Sequence, residues 1–209
     1  MPKHIKHDAR RIEVTKAAWR VIMRDGLDRT SIRAIAHELD LTTSVVTHYF
    51  RDKDALMSFI LDTINDHLET RQQRSITSES GIERLEQLIL SAFPLDEKGR
   101  TEWTIWMAFV GYAIGRETLL EAHRKRSRYN FTMIAAELEA LKSQGLIRND
   151  LDCLFEAKTI LAMIDGFGLN LVLDPESFGA DLTSRKLETL VANMIGRLRE
   201  QEVSSTTTK

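Results

Sequence analysis

The sequence predicts an all-α protein: an N-terminal three-helix domain of helix-turn-helix type, joined by a linking helix to a C-terminal helical bundle. Two observations carry this. Apolar residues recur at spacings of three and four along nearly the whole chain, and only three prolines and ten glycines interrupt 209 residues. No stretch alternates convincingly with the period of a strand. With 43% hydrophobic and 29% charged residues the chain is expected to be soluble and globular, with apolar material enough for a packed core. The longest apolar run, Ile160 to Leu173, is broken by Asp165 and Asn170 and is too short to span a bilayer. No segment reads as a targeting sequence, so a cytoplasmic location is expected. Cys153 is the single cysteine, which excludes an intramolecular disulfide and reads as a buried thiol.

A first helix is expected over about Ala9 to Arg24, burying Ile12, Ala18, Trp19 and Ile22 and stopping at Gly26. Two short helices follow. Thr30 or Ser31 caps the first, over Ile32, Ile35, Ala36 and Leu39; Thr42 or Thr43 caps the second, over Val45, Val46 and Tyr49. Only Leu39-Asp40-Leu41 separates them. A longer helix begins near Asp52 with Leu56, Phe59, Ile60 and Ile64 on one face. The domain reading is 1-51 for the helix-turn-helix domain (motif about 31-50), 52-74 for the linking helix, 75-203 for the bundle and 204-209 for a disordered tail, with the boundary at Ser75 to Gly81.

In the bundle, Ile82, Leu85, Leu88, Ile89 and Ala92 form an amphipathic helix ending at Pro94, and Glu102 to Ile114 is apolar on nearly every side. A long helix ends at Gly145 with Phe131, Ile134, Leu138 and Leu141 inward; Asn149 or Asp150 caps the next, which runs to Leu173. The last helix repeats Leu187, Leu190, Val191, Met194, Ile195 and Leu198, a narrow stripe suited to a partner helix and hence to homodimerisation.

Two helices joined by about three residues, the second rich in short polar side chains, form the pattern that lays one helix in the major groove of double-stranded DNA. The groove admits a single helix, whose N-terminal residues meet base edges. Here these are Thr42, Thr43, Ser44, Thr47 and His48, with Val45 suited to a thymine methyl. Lys53 falls at the next helix N-terminus, where phosphate is favoured, and Ser31, Arg33 and Tyr49 complete the expected DNA-contacting set. Charge agrees with this assignment. Residues 1 to 54 hold 11 Lys and Arg against 8 Asp and Glu, within a chain of net charge -2. Lys3, Lys6, Arg10 and Arg11 are expected near phosphate or the minor groove.

These residues resemble a known family. Ile32-Arg33-Ala34-Ile35-Ala36, Leu39-Asp40-Leu41-Thr42 and His48-Tyr49-Phe50-Arg51-Asp52-Lys53-Asp54-Ala55-Leu56 are similar to the DNA-binding domain of the tetracycline-repressor (TetR) family over about residues 9 to 56. Asp40 stands where the family commonly has glycine, so strain is expected there. Thr47 stands where many members carry a phosphate-contacting tyrosine. The run from Thr47 to Asp54 resembles the branch of choline-responsive betaine-operon repressors, as do Pro94-Leu95-Asp96, Glu102-Trp103, Trp106 and Phe109, and Ile164-Asp165-Gly166-Phe167-Gly168-Leu169. The resemblance implies a sequence-specific transcriptional repressor, dimeric through its last two helices. It also implies an effector pocket in the C-terminal domain and ligand-driven reorientation of the DNA-binding heads.

The effector is expected to be a small molecule, apolar or a quaternary ammonium. Trp103, Trp106, Phe109, Tyr112, Asp165 and Phe167 are the candidate residues: the aromatics offer π faces to a cation, and Glu102 or Asp165 its countercharge. The same aromatics also fit plain core packing, and Asp165 a structural carboxylate. A DNA-binding adaptor that contacts a protein partner without an effector is the alternative reading. His4 and His7 lack further metal-ligating neighbours, His37, His67 and His123 read as solvated or partly buried, and Arg124-Lys125-Arg126 with Arg128 reads as a solvated face. No phosphate loop, nucleophile elbow or Cys/His metal spacing is present, so neither a cofactor, a metal nor an enzyme is expected.

Overall fold

A computed structural model describes residues 3–174, 176 and 184–199, with side chains described from residue 10 to 174, at 176 and from 186 to 199. The segment 204–209 read as a tail, and the side chains of Lys3, His4, Lys6 and His7, lie outside the described residues. Among the described residues the regular structure is helical throughout: α1 (Lys3–Asp25), α2 (Ile32–Glu38), α3 (Thr43–Tyr49), α4 (Lys53–Ser75), α5 (Ile82–Ala92), α6 (Glu97–Ala113), α7 (Glu117–Ser143), α8 (Cys153–Leu173) and α9 (Ser184–Arg199).

The chain forms two compact units, Met1–Glu69 with Asp96–Lys125, and Thr70–Leu95 with Arg126–Lys209. This partition cuts across the 52-74 and 75-203 segments read from the sequence. The reason is α6: Ile105, Phe109 and Ala113 are fully buried in one core with Val14, Val21, Ile35, Val46, Phe50, Leu56 and Ile60. A helix that is apolar on most sides is suited to the inside of a core, and here that core belongs to the N-terminal unit.

In the first unit, α1 buries Val14, Ala17, Ala18, Val21 and Ile22, the i, i+3, i+4, i+7, i+8 positions of one face. Ile12, expected inside, is 47% exposed because it lies off that stripe. Gly26 ends the helix at φ +77°, donating its amide to the Ile22 carbonyl at 2.9 Å. Of the two candidate caps for α2, Ser31 takes the role by accepting from the Ala34 amide at 3.1 Å, while buried Thr30 donates to the Gly26 carbonyl. Glu38 accepts from Arg20 and Arg24 of α1, each at 2.7 Å, which holds its carboxyl below the usual range.

The α2–α3 turn is a Schellman closure. Leu41 donates to the Ala36 carbonyl at 2.9 Å, Asp40 donates to the His37 carbonyl at 3.1 Å, and Asp40 takes the left-handed conformation with φ +53°. The strain expected at Asp40 is therefore present.

In the second unit, α9 packs along α5, and α5 also touches α8. The stripe read as a dimer contact is covered inside the chain: Leu187, Val191, Met194, Ile195 and Leu198 are each 1–2% exposed, with Leu190 half-buried. Its partner helix is α5, whose Leu85, Leu88 and Ile89 supply the facing apolar surface. A second Schellman closure ends α7, with Gly145 at φ +70° and Leu146 donating to Leu141. The cap of α8 is Asp152, accepting from Leu154 and Phe155, rather than Asn149 or Asp150; Asp150 pairs with Arg148 instead. Arg84 of α5 bonds Glu137 of α7 at 3.0 Å, and Gln87 accepts from the Thr77 and Ser78 amides, pinning the α4–α5 connection.

Two stability tests follow from these contacts. Asp40→Gly removes the left-handed strain at a cost in chain entropy and should be neutral or stabilising by up to about 1 kcal/mol, whereas Asp40→Val should destabilise by about 1–2 kcal/mol in urea titrations. The depressed Glu38 pKa means that its bonds stabilise the fold above the ordinary glutamate range and stop doing so as pH falls. The stability gap between the wild type and Glu38→Gln should accordingly close on acidification and shrink in high salt.

Candidate nucleic-acid interface and sensor residues

α3 is anchored from one side and open on the other. Val46 and Phe50 are buried, at 0% and 1% exposed, and Tyr49 and Val45 are half-buried. Thr42, Thr43, Ser44, Thr47 and His48 are all exposed, so the helix turns its short polar side chains outward as one surface. The Thr42 side chain makes no cap bond to the helix but pairs with the Ser44 hydroxyl at 2.8 Å. The Thr47 hydroxyl donates to the carbonyls of Thr43 and Ser44, leaving its lone pairs as acceptors. The His48 ring meets Tyr49 edge-on at 5.1 Å. Ser31 and Arg33 are exposed on α2.

The basic residues divide. Arg10 pairs with Glu13 at 2.6 Å on the surface. Arg11, expected near phosphate, is turned inward: its guanidinium lies 4.2 Å from the Phe59 ring centroid and 5.3 Å from that of Phe50, clasping the pair formed by Phe50 at the end of α3 and Phe59 of α4. Asp52 caps α4 by accepting from Ala55, which with Arg51 holds its carboxyl low. Lys53 also faces inward, donating to the Leu27 carbonyl at 2.8 Å and lying 4.7 Å from the Tyr112 ring; burial lowers its pKa.

The aromatic residues of α6 do not form one box. Steps of three residues turn back about 60° each, so Trp103, Trp106, Phe109 and Tyr112 fan around half the helix. Phe109 is fully buried, and the Tyr112 hydroxyl donates to Asp54 at 2.8 Å while Arg116 stacks 3.8 Å from its ring centroid. Trp103 and Trp106 do meet, edge to face at 5.2 Å, and Trp106 lies 6.3 Å from His123, whose pKa burial lowers. Glu102 is 2% exposed and answered by His67 at 2.8 Å and Lys98 at 3.7 Å, so its charge already has partners within the unit.

In the second unit, Asp165 and Phe167 are half-buried on α8 and, two residues apart, leave different faces of it. Burial alone pushes the Asp165 carboxyl up to about 6. Cys153 is buried at the start of α8, as read, with its thiol pKa raised by desolvation. The features invisible in the pattern were the inward turns of Arg11 and Lys53 and the Glu102–His67 pair, since each depends on residues distant in sequence.

Comparison with known proteins accounts for both halves. Residues 14–58 match the family described as bacterial regulatory proteins, tetR family, and residues 81–196 match the BetI-type transcriptional repressor, C-terminal. The chain is 28% identical over 186 residues to the HTH-type transcriptional regulator PksA of Bacillus subtilis (strain 168), covering 88% of this chain and 89% of that one. It is also 28% identical over 184 residues to the HTH-type transcriptional regulator BetI of Vibrio parahaemolyticus, covering 87% and 89%. Among solved structures, a transcriptional regulator from Rhodococcus sp. Rha1 matches with a TM-score of 0.76 at 25% identity, covering 90% of this chain and 95% of that one. A regulator from Saccharomonospora viridis, solved in complex with choline, shares the fold with a TM-score of 0.78 at 22% identity, covering 90% and 96%. With helix-turn-helix and C-terminal domain both matched, the chain belongs to the BetI-type transcriptional repressors of the tetR family, DNA-binding regulators rather than enzymes.

Proposed function

We propose that the protein is a homodimeric, sequence-specific repressor that occupies a pseudo-palindromic operator through α3 and is released by a small-molecule effector. The observation that carries this reading is the two-sidedness of α3: Val46 and Phe50 lock it to the core while Thr42, Thr43, Ser44, Thr47 and His48 stand outside. A dimer sets two such helices about 34 Å apart, one turn of B-DNA, and a single head alone binds weakly.

The apolar surface that remains open for a second copy is on α8. Phe155 is 64%, Leu169 38% and Leu173 67% exposed, and with Ala162 and Gly166 they fall on one helical face. On α9, Ala192, Asn193 and Arg197 are exposed, and Arg197 reaches Met163 Sδ of α8 at 3.8 Å. This face replaces the Leu187–Leu198 stripe as the proposed interface, because the stripe already packs on α5. The cytoplasm is the proposed location, as operator binding requires access to DNA.

For the effector, Asp165 is the supporting residue: a carboxylate made costly to ionise by burial favours a cationic ligand, including a quaternary ammonium. An effector that lowers operator affinity a hundredfold needs about 3 kcal/mol of preference for the released conformation.

The decisive experiment is a fluorescence-anisotropy titration onto the DNA upstream of the protein's own gene, with and without choline and a panel of apolar metabolites. Tight binding relieved by one ligand is expected; tight binding indifferent to every ligand would favour the protein-partner adaptor. Lys53→Ala should weaken binding to all sequences and lower the salt slope, whereas Thr43→Ala and His48→Ala should change sequence preference. Equal losses on operator and scrambled DNA for all three would contradict that division. Because the Asp165 pKa is raised, its burial leaves stability intact in acid and lowers it as pH rises through about 6. Asp165→Asn should flatten that decline, and a cation bound at Asp165 should raise the thermal midpoint of the wild type more at pH 7 than at pH 5 while leaving Asp165→Asn unmoved.

A further inference from the structure

We propose that Tyr112 is a latch that competes with DNA for Lys53. The inference rests on the DNA-binding reading above and concerns how the proposed phosphate contact is controlled. Tyr112 lies in the last turn of α6, and its position is fixed from two directions. Its hydroxyl donates to Asp54 Oδ1 in the first turn of α4 at 2.8 Å. Arg116 covers the ring with its guanidinium 3.8 Å from the centroid, donates to the Tyr112 carbonyl at 2.6 Å and approaches Asp54 at 3.9 Å. The ring so held lies 4.7 Å from Lys53 Nζ, and the same ammonium donates to the Leu27 carbonyl at 2.8 Å. Lys53 is thus drawn between a π face and a backbone oxygen of the loop after α1.

Phosphate must take the ammonium out of this cradle. Three features make that exchange feasible. Lysine has a flexible four-carbon stem, Lys53 begins α4 just past the end of α3, and Arg116 shares the tyrosine ring and repels the second cation. Tyr112 does not itself meet DNA in this scheme; it is a positioning residue whose effect passes through Lys53. A purely structural tyrosine predicts that its removal weakens DNA binding. A latch predicts the reverse.

The test is a double-mutant cycle read by anisotropy on the upstream duplex and on a scrambled duplex, with folding checked by urea titration. Tyr112→Leu should tighten binding to both duplexes by about two- to fivefold per subunit, the worth of an exposed cation–π contact. That gain should vanish when Lys53→Met is present in both arms. Tyr112→Phe keeps the ring and gives up only the Asp54 bond, so it should show a smaller gain of the same sign, and it serves if the leucine variant fails to fold. Unchanged or weaker binding by the folded Tyr112 variants, or a gain that persists with Lys53→Met, overturns the latch while leaving the regulator intact. A wild-type protein that binds neither duplex removes the DNA-binding reading and the latch together.

Discussion

Everything that α3 does depends on the turn that precedes it. The Ala36 carbonyl takes amide protons from Leu39 and Leu41, His37 takes that of Asp40, and the chain reverses direction at one left-handed residue. A looser connection would leave α3 free to roll. With the turn closed, Val46 and Phe50 reach the core and the exposed threonines, serine and histidine of α3 are displayed together. Using aspartate where glycine is conformationally easier costs free energy locally, and the surrounding bonds hold it there.

The second organising feature is α6. Its Ile105, Phe109 and Ala113 belong to the same buried cluster as α1, α2, α3 and α4, so the N-terminal unit is a five-helix core with the first turns of α7 added. Packed interiors transmit displacement because they have little free volume. α6 meets the Lys53 and Asp54 end of α4 through Tyr112, and the C-terminal half of α4 through the Glu102–His67 pair. The polar contacts around α6 are directional where the apolar ones are not, so they fix its position against α4 at particular points.

The stripe on α9 shows where local pattern leaves a choice. Leu187, Leu190, Val191, Met194, Ile195 and Leu198 state that a helix will be covered on one face, and they say nothing about whether the covering helix is in the same chain. α5 answers that question. The face that stays open, on α8, is less conspicuous in sequence because Phe155, Ala162, Leu169 and Leu173 are interleaved with the equally apolar residues that face inward. Asp165, on the same helix, is half-buried, and burial raises its pKa.

The sequence alone was enough for what depends on short-range periodicity and helix stops: the helices, the three-residue turn, Gly26 and Gly145 as stops, and the outward polar set of α3 within a family motif. These are encoded by neighbours within one or two helical turns. Tertiary structure decided the rest. Only packing shows that Ile12 lies off the α1 stripe, that Asp152 caps α8, that Arg11 clasps Phe50 and Phe59, and that Lys53 is held by Leu27 and Tyr112. The Asp152 cap is a local choice among adjacent candidates, made by the backbone where α8 starts. For Arg11 and Lys53 the reason is different: a long side chain has several compatible partners in sequence, and the choice among them is made by distant residues, 26 and 59 positions away for Lys53 with Leu27 and Tyr112.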